Sequence, residues 1–351
     1  MRQLATIQSI ISIEPIAGAD AIEVASVLGW KVVVRKEEGY KAGDQVVYIE
    51  IDSLLPLEPW SDFLFKDEKE KARGQYRLKT VKLRGQVSQG LIVPLTTLVG
   101  KKYENDTREN PVYPQTVGTD VTGLLRIMKF EPPIPACLAG TIKGQFPCFI
   151  PKTDETRVQA APDVLKEIAG KPCYITTKMD GSSGTFYHNR GEFGVCSRNL
   201  EFTEDGDNTF WKVAKKYDLK TKLAALGRNI ALQGEVCGPG IQKNRLELKD
   251  HDLFIFNVYD IDLGRYMDMK DFVTIVRGLE VPTVPVDSIL DADDKWTIEQ
   301  LLNVAKGCYP GTKAHREGIV IRPLVECQSR ELKGRMSFKV INNDFLLKGG
   351  E

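Results

Sequence analysis

Five short runs of strand-forming residues in the second half of the chain each carry or adjoin a charged side chain. They are Ile175-Thr-Thr-Lys-Met-Asp-Gly181, Leu232-Gln-Gly-Glu-Val236, Phe256-Asn-Val-Tyr-Asp-Ile261, Arg316-Glu-Gly-Ile-Val-Ile-Arg322 and Ser337-Phe-Lys-Val-Ile341. Branched and aromatic residues at this density, bounded by glycine and acids, read as strands. A fold built on them must gather charged strand ends that lie far apart in sequence. The lysine in the first run, Lys178, is either a solvated turn residue or a nucleophile that the turn holds in place.

The chemistry of that choice is demanding. A free lysine has a pKa of roughly 10.4, so about one amine in a few thousand is unprotonated at neutral pH. Only the neutral amine can attack phosphorus, so the site must depress the pKa by burial or a nearby cation. Attack on a nucleoside triphosphate also needs cations on the phosphates, carboxylates to place a metal, and an aromatic to hold a base. The other four runs supply Glu235, Phe256, Glu317 and Lys339. One K-x-D-G is a weak signal; five elements in this order are a strong one.

Upstream, residues 1 to about 100 alternate short apolar runs with turn residues. Trp30 to Arg35, Gln45 to Ile51, Tyr76 to Gly85 and Gly90 to Pro94 are strand-like, which predicts a small β-barrel such as an OB-fold. From Lys71 to Arg84 there are six Lys or Arg and no acid. On a strand, Arg77 and Lys79 share a face, and with Lys82 and Arg84 they are candidates for gripping a phosphate backbone; a merely solvated strand is the equal alternative. The turn-rich span that follows ends in Phe130-Glu-Pro-Pro-Ile-Pro135, a stiff connector. The expected organisation is an OB domain over 1–130, a linker over 131–147 and a second domain over 148–351 of α+β class. In that domain 161–169 and 207–225 have helical spacing, whereas 252–262 and 318–323 look like buried strands.

Composition narrows the setting. The chain has 351 residues, 42% hydrophobic and 27% charged, with zero formal net charge. These are the proportions of a globular protein. The zero balance counts against a nucleic-acid partner, although a local basic stripe can hide within it. There is no apolar run of membrane-spanning length and no signal-peptide pattern, so a cytoplasmic or nuclear, non-secreted protein is expected. Seven scattered cysteines without a C-x-x-C pair read as free, mostly buried thiols. His188, His251 and His315 have no metal-ligand spacing, and the sequon at Asn105 carries no meaning in the cytosol.

In this order the motifs resemble the covalent nucleotidyltransferase superfamily of ATP-dependent DNA and RNA ligases and messenger-RNA capping enzymes. Lys178-Met-Asp-Gly181 matches its motif I, Ser197-Arg198 motif Ia, Gly234-Glu235 motif III, Phe256 to Ile261 motif IIIa, Glu317-Gly318 motif IV and Phe338-Lys339 motif V. The chain looks most like the fifth family of RNA ligases, which place an OB domain ahead of the catalytic one. That likeness also takes in Ile13 to Asp20, Gly29-Trp30, Ser88-Gln-Gly90 and Lys152-Thr-Asp-Glu-Thr-Arg157. Only twelve residues follow Lys339, too few for the trailing barrel of DNA ligases and capping enzymes.

The resemblance implies a small OB barrel followed by a nucleotidyltransferase (ATP-grasp-like ligase) domain of antiparallel sheets with flanking helices. It implies that Lys178 takes AMP from ATP, while Asp180, Glu235 and Glu317 hold Mg²⁺ or Mn²⁺. Glu235 is also expected at the AMP ribose, Phe256 on the adenine face, Arg157 and Arg198 on ribose or phosphate oxygens, and Lys339 on the α-phosphate. Two departures stand out. Relatives often carry K-x-K in motif V, whereas here Ser337 or Ile341 takes one lysine position, with Lys333, Arg335 or Lys348 as possible substitutes. Thr177 stands before the nucleophile where some RNA ligases have Glu. The implied substrate is a nicked RNA or RNA–DNA hybrid duplex, joined by a monomer in RNA repair. The rivals are a DNA ligase, an RNA guanylyltransferase, or a non-catalytic nucleic-acid-binding protein on the same scaffold.

Overall fold

The computed structural model describes residues 3–103, 106–109, 113, 115–131, 141–204, 208–291 and 296–349. Asn105, Cys137, Asp207 and most of the proline-rich connector lie outside them. The chain divides into two compact units, Met1–Pro133 and Ile134–Glu351.

The first unit is a curled antiparallel sheet in the order Trp30–Arg35, Ile22–Val27, Ala5–Pro15, Gln45–Ile49, Leu91–Pro94. Its first strand changes partner half-way. Ala5 to Ser9 pair with Gln45–Ile49, Ile10 to Pro15 pair with Ile22–Val27, and the register shifts between Ile10 and Ser12. An irregularity of this kind bends a strand and tightens its twist, which starts a sheet towards a barrel. A second, three-stranded sheet (Met128–Lys129, Ser53–Pro56, Gln75–Arg77) adds Leu55 to the core of Ile7, Val47, Ile49 and Val93.

The run from Tyr76 to Gly85 is not one strand. Leu78 is buried in the core and exchanges backbone hydrogen bonds with Asp52 and Ser53. The chain then breaks away into a separate hairpin, Val81–Leu83 with Gln86–Ser88. Lys71 and Arg73 lie on a short helix, Glu68–Arg73, which Asp67 caps through the amide of Glu70.

The second unit stacks two sheets. One has seven antiparallel strands in the order Ile142–Gln145, Leu200–Phe202, Glu192–Cys196, Ser182–Asn189, Ile230–Cys237, Asp252–Asp260, Arg265–Tyr266. Ile142–Gln145, inside the span read as linker, thus serves as an edge strand here. The other sheet has five strands, Thr156–Arg157, Phe338–Ile341, Gly318–Pro323, Pro172–Lys178 and Val286–Asp291. It is mixed rather than purely antiparallel, because Thr156–Arg157 runs parallel to Phe338–Ile341.

Strand alternation decides what the five-stranded sheet offers on each face. Cys173, Ile175, Ile319, Ile321, Phe338 and Val340 join one core, with Val164 and Leu301 from the helices Val164–Ile168 and Ile298–Val304. Lys178, Arg322, Ser337 and Lys339 occupy the alternate positions and so belong to the opposite face. The helical spacing over 207–225 becomes two helices, Thr209–Lys216 and Leu219–Ala225, broken where Asp218 adopts φ 49°. Both pack on the seven-stranded sheet through Phe210, Trp211, Leu219 and Leu223. Among the described residues no helix is long and apolar enough to cross a membrane. Six described cysteines are free; Cys173, Cys196 and Cys237 are buried, Cys327 half-buried, and Cys148 and Cys308 exposed.

Candidate active site

Lys178 is the last residue of its strand, and its final ladder partner is Gly318. The chain enters the other sheet at Ser182, so Met179 to Gly181 form the corner between the two sheets. Gly181 makes that corner possible: a Cβ there would lie 2.5 Å from the carbonyl oxygen of Val236 and 2.8 Å from Cγ of Glu235. The corner brings Lys178 and Asp180 against Glu235, which pairs in register with Ser183. Glu317 immediately precedes Gly318, and its Oε1 lies 2.8 Å from Lys178 Nζ. Four residues from three distant segments thus meet at this corner.

The charges in this cluster do not balance. Burial pushes the Lys178 amine down, but Glu317, Glu235 and Asp180 outweigh it and hold the amine above the ordinary lysine value. Burial alone therefore does not lower the Lys178 amine, so the lowering expected from sequence falls to the other means, a nearby cation. Burial, with repulsion from Glu317 and Asp180, pushes Glu235 up to about 8 despite Lys178 and a hydrogen bond from the Gly181 amide. Asp180 is raised as well, by burial and by Glu317, against the pull of Arg245.

Three carboxyl groups crowd one amine here, and their mutual repulsion, which raises Glu235 and Asp180, is what a bound cation would relieve, so these residues fit a divalent metal. Among the described residues no group of three His, Cys, Asp or Glu side chains is arranged to grip an ion directly. Carboxylate oxygens such as those of Asp180 and Glu317 are the donors Mg²⁺ or Mn²⁺ takes alongside water and phosphate oxygens.

Phe256 is half-buried on the strand Asp252–Asp260 and packs beside the cluster of Met179, Cys237 and Tyr309. Arg157, only 4% exposed, stands in register with Lys339, and Lys339 with Val320. Lys339 lies two strands from the Lys178 strand, about 10 Å at ordinary strand spacing. Arg198 is more exposed and forms a 2.5 Å ion pair with Asp154. Thr177 points away from Lys178; its hydroxyl donates to Asp287, which also pairs with Arg316.

Comparison with known proteins finds relatives for both parts of the chain. A family model described as RNA ligase matches residues 171–341, and one described as an OB-fold domain matches residues 4–95. Naegleria gruberi RNA ligase solved with PPi is 38% identical, with a TM-score of 0.85 over 100% of this chain and 99% of that one. Variants of the same enzyme were solved with AMP and Mn, at 38% identity, TM-score 0.85 and 99% of each chain, and with ATP and Mn, at 37%, 0.85 and 100% of each. No curated protein matches the chain. The chain belongs to the RNA ligase family.

In this ligase the serine of motif V has a defined task. Arg322, 2% exposed, pairs with Glu155 at 2.9 Å and donates from Nε to Ser337 Oγ at 2.8 Å; Ser337 in turn donates to Glu155 at 2.7 Å. The guanidinium also lies 5.9 Å from the Phe256 ring centre. The cation beside Ser337 is therefore Arg322. Arg335 is held by Glu326 and Asn257, and Lys348 by His315. A cleft of about 540 Å³ opens beside this network, lined in part by Glu155, Asn257, Tyr266, Arg335 and Ser337.

Sequence reasoning missed two further residues. Arg245, in the loop after the strand Ile230–Cys237, forms an ion pair with Asp180 and lies 4.5 Å over the Phe345 ring. Tyr309 bonds the main chain at both Lys178 and Glu317. Neither follows from spacing, because Arg245 sits in an aperiodic loop and Tyr309 in Cys308-Tyr-Pro-Gly311, which reads as a turn.

The motif IV glycine is fixed by the ladder. A Cβ at Gly318 would lie 2.1 Å from the carbonyl oxygen of Val340 and 2.9 Å from Cα of Ile341. Neither backbone atom can yield without opening the strand pair. Gly318→Ala is expected to lower unfolding free energy by roughly 3 kcal/mol, read from the denaturant midpoint.

In the amino-terminal unit, Arg77 is paired with Asp52 at 2.7 Å and lies 3.8 Å over the Phe130 ring, so it is a half-buried structural cation. Lys79, Lys82 and Arg84 are exposed, the last two on the hairpin Val81–Leu83 with Gln86–Ser88. The four candidates therefore do not form one continuous basic face.

Proposed function

We propose that this ligase uses ATP to join a 3′-hydroxyl to a 5′-phosphate at a nick, through AMP carried on Lys178. The observation that carries the reading is the strand-end amine of Lys178, aimed by Glu317 at 2.8 Å and ringed by Asp180 and Glu235. In the first step the Lys178 amine loses its proton and forms a bond to the α-phosphorus, while pyrophosphate leaves with the electron pair of the broken P–O bond. AMP then passes to the 5′-phosphate, and the 3′-hydroxyl displaces it.

Each chain residue has a place in this scheme. Phe256 supplies a flat platform for adenine, and Glu235 accepts from the ribose or holds metal-bound water. Arg157, Arg198 and Lys339 contact ribose and phosphate oxygens, with the positive charge of Lys339 offsetting that of the transition state. Asp180, Glu235 and Glu317 would hold Mg²⁺ or Mn²⁺, which would supply positive charge beside the Lys178 amine and the phosphates. Lys79, Lys82 and Arg84 grip the duplex beside the nick, and an RNA strand is read through its 2′-hydroxyl. The ATP- and Mn-bound forms of the Naegleria relative support the choice of nucleotide and metal.

The test is incubation with labelled ATP and Mg²⁺, followed by sealing of nicks carrying each combination of RNA and DNA ends. A covalent protein–AMP adduct and a requirement for an RNA 3′-hydroxyl are expected. An adduct with GTP alone would make the enzyme a guanylyltransferase. Equal sealing of DNA 3′ ends would make it a DNA ligase, and nick binding without AMP transfer would leave a binding protein.

A further inference from the structure

We propose that Tyr309 is a positioning residue that sets the geometry between Lys178 and Glu317 for AMP transfer; the inference rests on the function proposed above. Lys178 and Gly318 form the last rung of their ladder, so the sheet does not hold Glu317 itself. The Tyr309 hydroxyl takes over at that point. It donates to the carbonyl oxygen of Lys178 at 3.0 Å and accepts from the amide of Glu317 at 3.1 Å. One oxygen thus joins the main chains that carry the two members of the 2.8 Å amine–carboxylate pair.

The ring is firmly seated. Tyr309 is 2% exposed and clusters with Met179, Cys237 and Val284. Its own main chain is tied into a tight loop: its amide donates to Ala314 at 3.0 Å, and its carbonyl accepts from the amide and hydroxyl of Thr312. Glu317 is held from the other side as well, where its carbonyl accepts from the amide of Asn342 at 2.9 Å. With Asn342 fixing one side, loss of the tyrosine hydroxyl frees the side that faces the nucleophile. Arg316, just before Glu317, is anchored to Gly307 and Asn342, so the shift expected between the carboxylate and the amine is a fraction of an ångström. Misplacement on that scale slows a chemical step far more than it weakens substrate binding.

The experiment compares wild type with Tyr309→Phe in three measurements: single-turnover protein–AMP formation over a range of ATP concentrations, sealing of a pre-adenylated nick, and thermal unfolding. Expected is adduct formation slowed about 10- to 100-fold at saturating ATP, with the ATP concentration for half-maximal rate changed little. Sealing of the pre-adenylated nick, which needs no AMP on Lys178, is expected to fall much less. A wild-type adduct rate in the variant overturns the assignment, as does a defect seen only in the ATP requirement. Equal loss of adduct formation and pre-adenylated sealing with a lowered melting temperature also overturns it, since that marks a structural role. Absence of any adduct in wild type instead sinks the underlying reading, so the two failures are distinct. If Tyr309→Phe does not fold, Thr312→Val keeps the hydroxyl but loosens its loop. The expected result is then a smaller slowing in the same direction, and an unchanged rate overturns the proposal.

Discussion

Replacing Lys178 by arginine is expected to abolish adduct formation, by on the order of 10⁴-fold or more, with the thermal unfolding midpoint almost unchanged. Arginine keeps the positive charge that Glu317, Glu235 and Asp180 surround, so the carboxylates do not lose their counter-ion. What it cannot do is lose its proton, because the guanidinium remains charged throughout the working range of an enzyme. The substitution therefore separates charge balance from nucleophilicity. Lys178→Ala would stop the same chemistry but also leave Glu317 without its 2.8 Å partner, so its stability would fall as well. The measurement is label retained on the denatured protein, alongside a thermal melt of each variant. An adduct of wild-type yield in either variant would remove Lys178 as the nucleophile.

The second large effect is on stability. Glu155→Ala leaves Arg322 charged and 2% exposed, without its carboxylate partner. Breaking one side of a buried ion pair costs about 3–5 kcal/mol. For a unit of this size that corresponds to a melting temperature lower by roughly 10 °C. Ser337 softens the loss only slightly, because its hydroxyl can keep Arg322 Nε company but carries no charge. Glu155→Gln, which retains an acceptor, is expected to fall between wild type and alanine. A melt of Glu155→Ala within a degree of wild type would show that solvent reaches Arg322 freely. The same network explains the motif V serine: a lysine at 337 would stand beside the guanidinium already in place.

How far the sequence could be read depended on the kind of contact involved. The strand runs were legible because their alternation records which residues enter the core; Ile319 and Ile321 go in and Arg322 stays on the opposite face. The cluster of Lys178, Asp180, Glu235 and Glu317 was legible through the resemblance of its motifs, which says nothing of the 2.8 Å contact. The stretch from Tyr76 to Gly85 misled, since its alternation suits one long strand while burial of Leu78 breaks it. Arg77 misled for a related reason, as its partners Asp52 and Phe130 lie 25 and 53 residues away. Arg245, Tyr309 and the pairing of Glu155 with Arg322 left no local trace at all.

By itself, then, the sequence determined the α+β class and the leading OB-like sheet, because hydrophobic periodicity is a property of short segments, while the groups expected around AMP came from the resemblance of its motifs. Only the tertiary structure decided which cation answers which carboxylate, that three carboxyl groups crowd the Lys178 amine, and that a tyrosine oxygen spans the end of the ladder. Those outcomes depend on distances between segments up to 167 residues apart, and electrostatic and hydrogen-bond energies follow distance and burial rather than order along the chain.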